Sequence, residues 1–530
     1  MHEAREARTA GKPCHRARYS LAAPSIPGGP RDTVEALQDL ADVVHRGGEG
    51  DMRTNATRTA ETEPALPKHE ATGPEQLAAY SLLDAMTRRR ARRFALGDHL
   101  QGGAFSYKSE KAAVPLSTQE EAVLAFAGAG VTGRVYGELP YQPDAGPETG
   151  GGQVMMSMVG RTHSSADAVA TASLFITRDD GTFAMPKPHD YPPDVFDELA
   201  ALGREHRFTE MYERSRIRLS DKRAEIPRAL PYTPPFNKWS ANVPGSTYFV
   251  PVSEMTGLYL TILFASLGPE FAYFFHDDKD RLMRPAGIDR FAKSKGGVLH
   301  DDVNDGRVGT IDELETYLLE LCGFEQGLMI QNIALAAEAL GLGGFPHYGA
   351  HRFAWTRAFG FRMVDRTFAQ VLHKGFFGTL LMKLMGKNVT IPQAVGIDHD
   401  GVPIWKPWTT PYYPTMEAAV RAFVDYKFAP GTGIFRNSDP SPWRDPATIQ
   451  SAIPRYSEEN IQAVIAYCEY VHKTYGQFPA KYGPFRTLMA FQAHHIDTAF
   501  YDKFYREGVY TEAHTEHFAR WHPGEPDPNQ

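Results

Sequence analysis

The run from Asp312 to Leu340 constrains this chain most. Apolar residues at Leu314, Leu318, Leu321 and Phe324 recur at helical spacing, and from Leu328 onward the run is nearly continuously apolar. The spacing predicts one long helix, amphipathic in its first part and buried on most sides in its second. Gly341-Leu342-Gly343-Gly344 follows directly, a composition that stops a helix because glycine accepts the left-handed conformation of a C-cap.

Shorter signals surround this helix. Leu77, Tyr80, Leu83 and Met86 form a helical stripe that runs into Arg88-Arg89-Arg90-Ala91-Arg92-Arg93. Ser117 with Glu120 three positions later reads as a capping box, opening a buried helix through Ala122–Ala127 that Gly128 or Gly130 ends. Ala172–Thr177 reads as a strand, and Asp179-Asp180-Gly181-Thr182 as the turn of a hairpin. Residues 137–152 read as a Gly- and Pro-rich loop, 395–414 as an extended stretch, and Met416–Phe423 and Glu458–Tyr475 as helices. Gly257–Leu267 is apolar but is cut by Gly268-Pro269, so it reads as a core segment; about 20 apolar residues are needed to cross a bilayer.

The balance of 56 basic and 64 acidic residues gives a net charge of −8, which argues against nucleic acid as a partner. Three cysteines, Cys14, Cys322 and Cys468, exclude a disulfide framework and any Cys-x-x-Cys pair. The N-terminus lacks the apolar stretch of a secretory signal, so the expectation is a soluble cytoplasmic protein with no membrane partner. Residues 1–75 hold one aromatic, Tyr19, and read as a disordered tail carrying one short amphipathic piece, Thr33–Val44; Met52 is an alternative start.

Three groups of residues are candidates for chemistry. The arginine run reads either as a solvated basic helix end or as a phosphate clamp, in which Arg88 and Arg92 share a helix face four residues apart. The glycines of 341–349 permit close backbone approach to a flat ligand. They close a helix rather than open one, which excludes a dinucleotide fingerprint or a P-loop. His494, His495, Asp497, His514, His517 and His522 form a dense C-terminal set in which His514 and His517 could share a helix face as metal ligands. Aromatic surroundings (Phe491, Phe500, Tyr501, Phe504, Tyr505), the lack of a nearby cysteine and the spacing favour packing histidines, and no metal ligand is assigned.

Taken in order, Arg-Arg-x-x-Arg-x-Phe, Gln331-Asn332 with its Ala-rich helix, and Ala-Leu-Gly-Leu-x-x-x-Pro-x-x-Gly resemble the nitroreductase superfamily of FMN-dependent oxidoreductases. Pro115-Leu116-Ser117 and Arg161-Thr162-His163-Ser164-Ser165-Ala166 resemble most the SagB-type azoline dehydrogenases. The resemblance covers roughly residues 75–365. It implies an α+β fold with a three-layer core, a central mainly antiparallel sheet flanked by helices, occupying 76–370. Residues 371–522 are then a C-terminal helical extension packing on the core or a dimer partner, and 523–530 a loose tail. It also implies that Arg88, Arg89, Arg90 and Arg92 bind the FMN phosphate and ribityl chain, Arg90 standing where the family has Ser. Ser165 would lie near the isoalloxazine, with Asp167 in place of a Gly. Asn332 would lie under the flavin, and the backbone of Tyr348 and Gly349 would approach N5. His347 and Tyr348 would relay protons, His titrating near neutral pH. The expected cofactor is FMN, the substrate a small molecule, NAD(P)H a candidate partner, and the assembly a homodimer. The alternatives are a metal-dependent oxidoreductase centred on the C-terminal histidines and a non-catalytic flavin-fold binding protein.

Overall fold

The computed structural model describes residues 72–135, 155–372, 374–399, 401–437 and 442–530. The expectations for residues 1–71 and for the 137–152 loop lie outside the described residues. In chain order the elements that position the site begin with helices α1 (Thr72–Ala79), α2 (Leu82–Arg88) and α3 (Thr118–Ala129), then strands β1 (Ala172–Arg178) and β2 (Gly181–Met185). Helices α4 (Pro193–Arg204) and α5 (Phe208–Ser215), strands β3 (Ile217–Ser220) and β4 (Thr247–Glu254), helices α6 (Met255–Ser266) and α7 (Ile311–Leu340), strand β5 (Gly343–Tyr348) and helix α8 (Arg352–Ala358) follow. The remainder holds strands β6 (Arg362–Thr367), β7 (Thr390–His399) and β8 (Val402–Trp405), helices α9 (Met416–Phe428) and α10 (Glu458–Tyr475), strands β9 (Phe485–Arg486) and β10 (Met489–His494), and the short helices α11 (Glu512–Thr515) and α12 (His517–Trp521).

The fold is α+β. The main sheet runs β5-β10-β4-β1-β2-β3 with every pair antiparallel, and β9 pairs the end of β4. β1 and β2 form the expected hairpin: Arg178 faces Gly181, leaving Asp179-Asp180 as a two-residue loop. β4 is buried at all eight positions because both faces of the sheet are covered. Leu174, Ile176, Phe249 and Phe491 pack with residues of α3, α4, α5 and α7. Phe175, Tyr248, Val250 and Val252 take the opposite core with Trp355, Phe359, Phe361 and Trp405. That second face differs from the helical layer expected. It is covered by α8 and a three-stranded antiparallel sheet, β6-β7-β8, because bulky aromatics there fill the interface and Trp405 Nε1 donates to Ser173 Oγ at 2.7 Å.

The long helix forms with a Thr310/Glu313 capping box at its start and Gly341 at φ 78° after its end. As expected, its first part is amphipathic and its second part is buried on most sides, with only Leu328 and Gln331 exposed between residues 328 and 340. Tyr317, Phe324, Leu328 and Gln331 are exposed, while Leu318, Cys322, Met329, Ile333 and Ala337 pack inward. Its first half joins α6, α9 and α10 in a separate apolar core containing Leu258, Phe264, Phe423 and Tyr467. α6 is the buried segment expected at 257–267, and among the described residues no helix is long and apolar enough to cross a membrane.

Two further expectations are corrected. The 76–370 boundary does not delimit a core, because β10 lies between β5 and β4, with Gly344 opposite Ala493 and Phe491 opposite Phe249. The segment after 370 therefore supplies an interior strand rather than an appended layer. The stripe from Leu77 to Met86 is broken at Tyr80-Ser81: Ser81 caps α2, and Leu83 and Met86 lie exposed. Residues 72–75, placed in the tail by composition, begin α1.

Candidate flavin site

The arginine run divides at the end of α2. The helix stops at Arg88, and the Arg89 N–H closes it on the Ala85 carbonyl. Arg88 and Arg92 therefore do not share a helix face. Arg88 is exposed, with Nε 3.6 Å from Asp84. Arg90 is exposed, and its Nη1 donates to the carbonyls of Thr87 and Arg89. Arg92 is buried: Nη1 lies 2.6 Å from Glu338 Oε2 and Nε donates to the Val509 carbonyl at 2.9 Å. A guanidinium so engaged is a fold-stabilising ion pair, and it does not fit the phosphate role expected for it.

The same segment meets the glycine-rich strand. The Gly344 N–H donates to the Arg92 carbonyl at 2.9 Å, and His494 Nε2 contacts the same oxygen at 3.0 Å. The glycines of β5 serve this packing rather than a ligand. A Cβ on Gly344 would meet the Gln492 carbonyl at 2.5 Å, and one on Gly343 would meet Ile496 at 2.4 Å. Gly349, at φ 69°, alone among Gly341, Gly343, Gly344 and Gly349 has open space where a Cβ would stand. Its N–H is directed to the Leu488 carbonyl at 2.8 Å, so it is not available to a flavin N5.

His347 and Tyr348 alternate along β5, as successive strand residues must, and face opposite ways. Tyr348 is 76% exposed. His347 packs against Phe345 and Tyr248, with Asn237 Nδ2 3.5 Å from its Nδ1 and with Nε2 buried and without a hydrogen-bond partner among the described residues. Burial, reinforced by the Arg93 charge, pushes its pKa down to about 3, so it does not titrate near neutrality as expected. His347, Tyr348 and Gly349 line one cleft with Tyr232, Tyr248 and His351, whose free volume of about 40 Å³ admits little more than water.

Asn332 lies on α7, and Ser165 lies in the 162–172 segment that packs against this helix. Asn332 Nδ2 donates to the Thr162 carbonyl at 2.9 Å. Two helical turns earlier, buried Glu325 accepts from Ser165 Oγ at 3.3 Å, from Thr171 Oγ1 at 2.7 Å and from the N–H groups of Thr171 and Ala172. Burial pushes the Glu325 carboxyl up, but His163 at 3.4 Å, with Thr171 and the Ala172 N–H, outweighs it and holds the pKa down at about 2. Thus α7 ties down the 162–172 segment through Glu325 and Asn332, and the arginine segment through Glu338.

Sequence reasoning missed Arg93. Its Nη2 donates to Asn237 Oδ1 at 2.7 Å and Ser240 Oγ at 2.8 Å, and its guanidinium lies over Trp239 and Phe345. It was one arginine of a run, and nothing local to it announces partners 140 or more residues away. Glu325 and Glu338 were hidden the same way, as ordinary charges in a helical pattern.

No protein-family model matches the chain, and no curated protein matches it. A solved structure from Ralstonia eutropha JMP134, provisionally described as a nitroreductase, aligns over 59% of this chain and 88% of its own, at 12% identity and a TM-score of 0.24. A likeness that weak contributes nothing to the assignment of fold or activity.

Proposed function

We propose that the chain is an FMN-dependent oxidoreductase of nitroreductase type, transferring a hydride between flavin N5 and a small organic substrate by SagB-like dehydrogenation or by reduction of a nitro, quinone or enone group. The observation that carries the reading is the pairing of Arg92 with Gly344, which brings the arginine run and the glycine-rich strand together although they are far apart in sequence. The donor set fits a flavin in part. Arg88, Arg89 and Arg90 remain outside the core and suit a phosphate, whereas Arg92 does not. When bound, the flavin supplies hydride exchange at N5. In this reading Tyr348 and Gly349 form the exposed wall beside it. His347, neutral at pH 7, keeps one ring N–H as a hydrogen-bond donor, with Nδ1 facing the Asn237 amide. The segment at 162–172, fixed by Glu325, stands on a rigid support. Homodimer formation belongs to the same proposal; NAD(P)H serves as reductant only in the reductase direction, because dehydrogenation itself reduces the flavin and needs an electron acceptor such as oxygen.

The experiment is purification of the untagged protein and its absorption spectrum. The expected result is a yellow protein with about one FMN per chain, and an Arg88→Ala/Arg89→Ala variant that keeps its fold but binds FMN at least about a hundredfold more weakly, two charge-assisted phosphate contacts having been lost. A colourless protein that takes up no added FMN would overturn the proposal.

A further inference from the structure

The C-terminal histidines do not gather as the sequence spacing suggested. His514 and His517 fall in separate short helices, and His514 Nδ1 turns to Thr511 Oγ1 at 2.9 Å. Instead Glu120, His495, His517 and His522 converge. All four are buried, and one ligand atom from each lies within 4.8 Å of the others. They come from three parts of the chain: the first turn of α3, the residue after β10, and α12 with its cap.

The donor chemistry within this group is unbalanced. Glu120 Oε2 accepts from the Ser117 N–H at 2.6 Å and from Ser117 Oγ at 2.9 Å, and it lies 3.0 Å from His522 Nε2. Glu120 Oε1 lies 2.7 Å from His517 Nε2, an ion-pair contact, and neither atom has another hydrogen-bond partner among the described residues. The other ring nitrogen of His517, Nδ1, sits 2.5 Å from the Leu340 carbonyl, which can only accept. A ring proton therefore belongs on Nδ1, and in the neutral ring Nε2 presents a lone pair to a carboxylate oxygen. A buried carboxylate needs a positive charge beside it, and a metal ion shared by Glu120 Oε1 and His517 Nε2 meets that need as a second ring proton on His517 would.

The surroundings of His517 and His522 match what metal-bound histidines require. The Leu340 carbonyl orients His517 from behind, and Glu525 Oε2, 3.3 Å from His522 Nδ1, orients His522. His495 Nε2 lies 3.9 Å from Glu120 Oε2 and 3.2 Å from the Pro115 carbonyl, which leaves its buried Nδ1, without a hydrogen-bond partner among the described residues, as the nitrogen free to bind an ion.

We propose that Glu120, His495, His517 and His522 bind a zinc ion as a closed structural site. Three imidazoles and one carboxylate suit zinc, and four protein ligands in a buried, four-coordinate shell leave no open position of the kind catalytic zinc keeps. The ion clasps the C-terminal segment to the first turn of α3 and to the end of β10, joining residues about 400 positions apart. The proposal is independent of the flavin reading.

The test uses the full-length untagged chain expressed in zinc-supplemented medium. Elemental analysis is expected to find about one zinc per chain, and stripping with a strong chelator to lower Tm by about 5 °C, reversed by zinc. Cobalt substitution is expected to give the visible absorption of a four-coordinate ion. A His517→Ala/His522→Ala variant should lose the metal and His514→Ala should keep it. Should the double variant fail to fold, zinc content and the cobalt spectrum of the unaltered chain decide the matter. Wild-type protein that is metal-free and neither binds zinc nor gains Tm from it overturns the proposal, as does full zinc retention by the double variant. Stoichiometric iron or manganese in place of zinc overturns the assignment to zinc.

Discussion

Arg92 and His347 show how burial reassigns a residue's chemistry. The Arg92–Glu338 pair has no water to replace either partner, so Arg92→Ala is expected to destabilise the protein by about 3–5 kcal/mol. Arg88→Ala, at an exposed ion pair, should change stability by less than about 1 kcal/mol. Urea midpoints of the two variants make the comparison. For His347 the folded pKa of about 3 lies below the unfolded value, so its contribution to stability is present above about pH 6.5. That contribution is lost as pH falls toward 3, because only the unfolded chain takes up the proton readily. The expected outcome is that His347→Gln flattens the acid limb of a stability–pH profile between about pH 6.5 and 4 relative to wild type. Equal slopes in the two proteins would show that the ring is hydrated and free to protonate.

At the scale of elements, the sequence was most legible where one stretch of chain determines its own conformation. The Ser117/Glu120 box, the Asp179-Asp180 hairpin and the stop of the long helix at Gly341 are local matters of caps and turns, and each formed as read. What failed depended on distant partners. The arginine run kept a helical composition past Arg88, but pairing of Arg92 with Gly344 draws those residues into extended backbone. The candidate site was legible as a set of segments and not as a set of roles. Glu120 read as a cap, yet its second oxygen faces histidines some 400 residues on, and no spacing rule reaches that far. The glycines also divide by surroundings. Gly344→Ala should cost about 1–3 kcal/mol by forcing β5 from β10. Gly349→Ala meets open space and pays only for its positive φ, about 1 kcal/mol. Thermal melts of the two variants test the difference.

For the whole molecule, the sheet order matters more than any single contact. With β10 between β5 and β4, a chain ended at residue 484 lacks an interior strand, and two strands lose their hydrogen-bonding neighbour at once. Such a truncation is expected to be insoluble or to lack cooperative unfolding, measured by soluble yield and by circular dichroism on heating. A stable, soluble product would mean that β4 and β5 pair directly in its absence.

This arrangement also sets a timetable for birth on the ribosome. At roughly 5–20 residues per second, β4 emerges on the order of ten seconds or more before the strand that will lie against it. Through that interval the nascent sheet carries an unpaired apolar edge, the kind of surface on which chains aggregate. Arrested nascent chains ending before residue 485 should therefore be cut readily by protease and held by ribosome-associated chaperones, whereas those whose 489–494 segment has cleared the exit tunnel should become resistant. Yield in a foreign host would then follow the supply of such chaperones more closely than the stability of the finished protein.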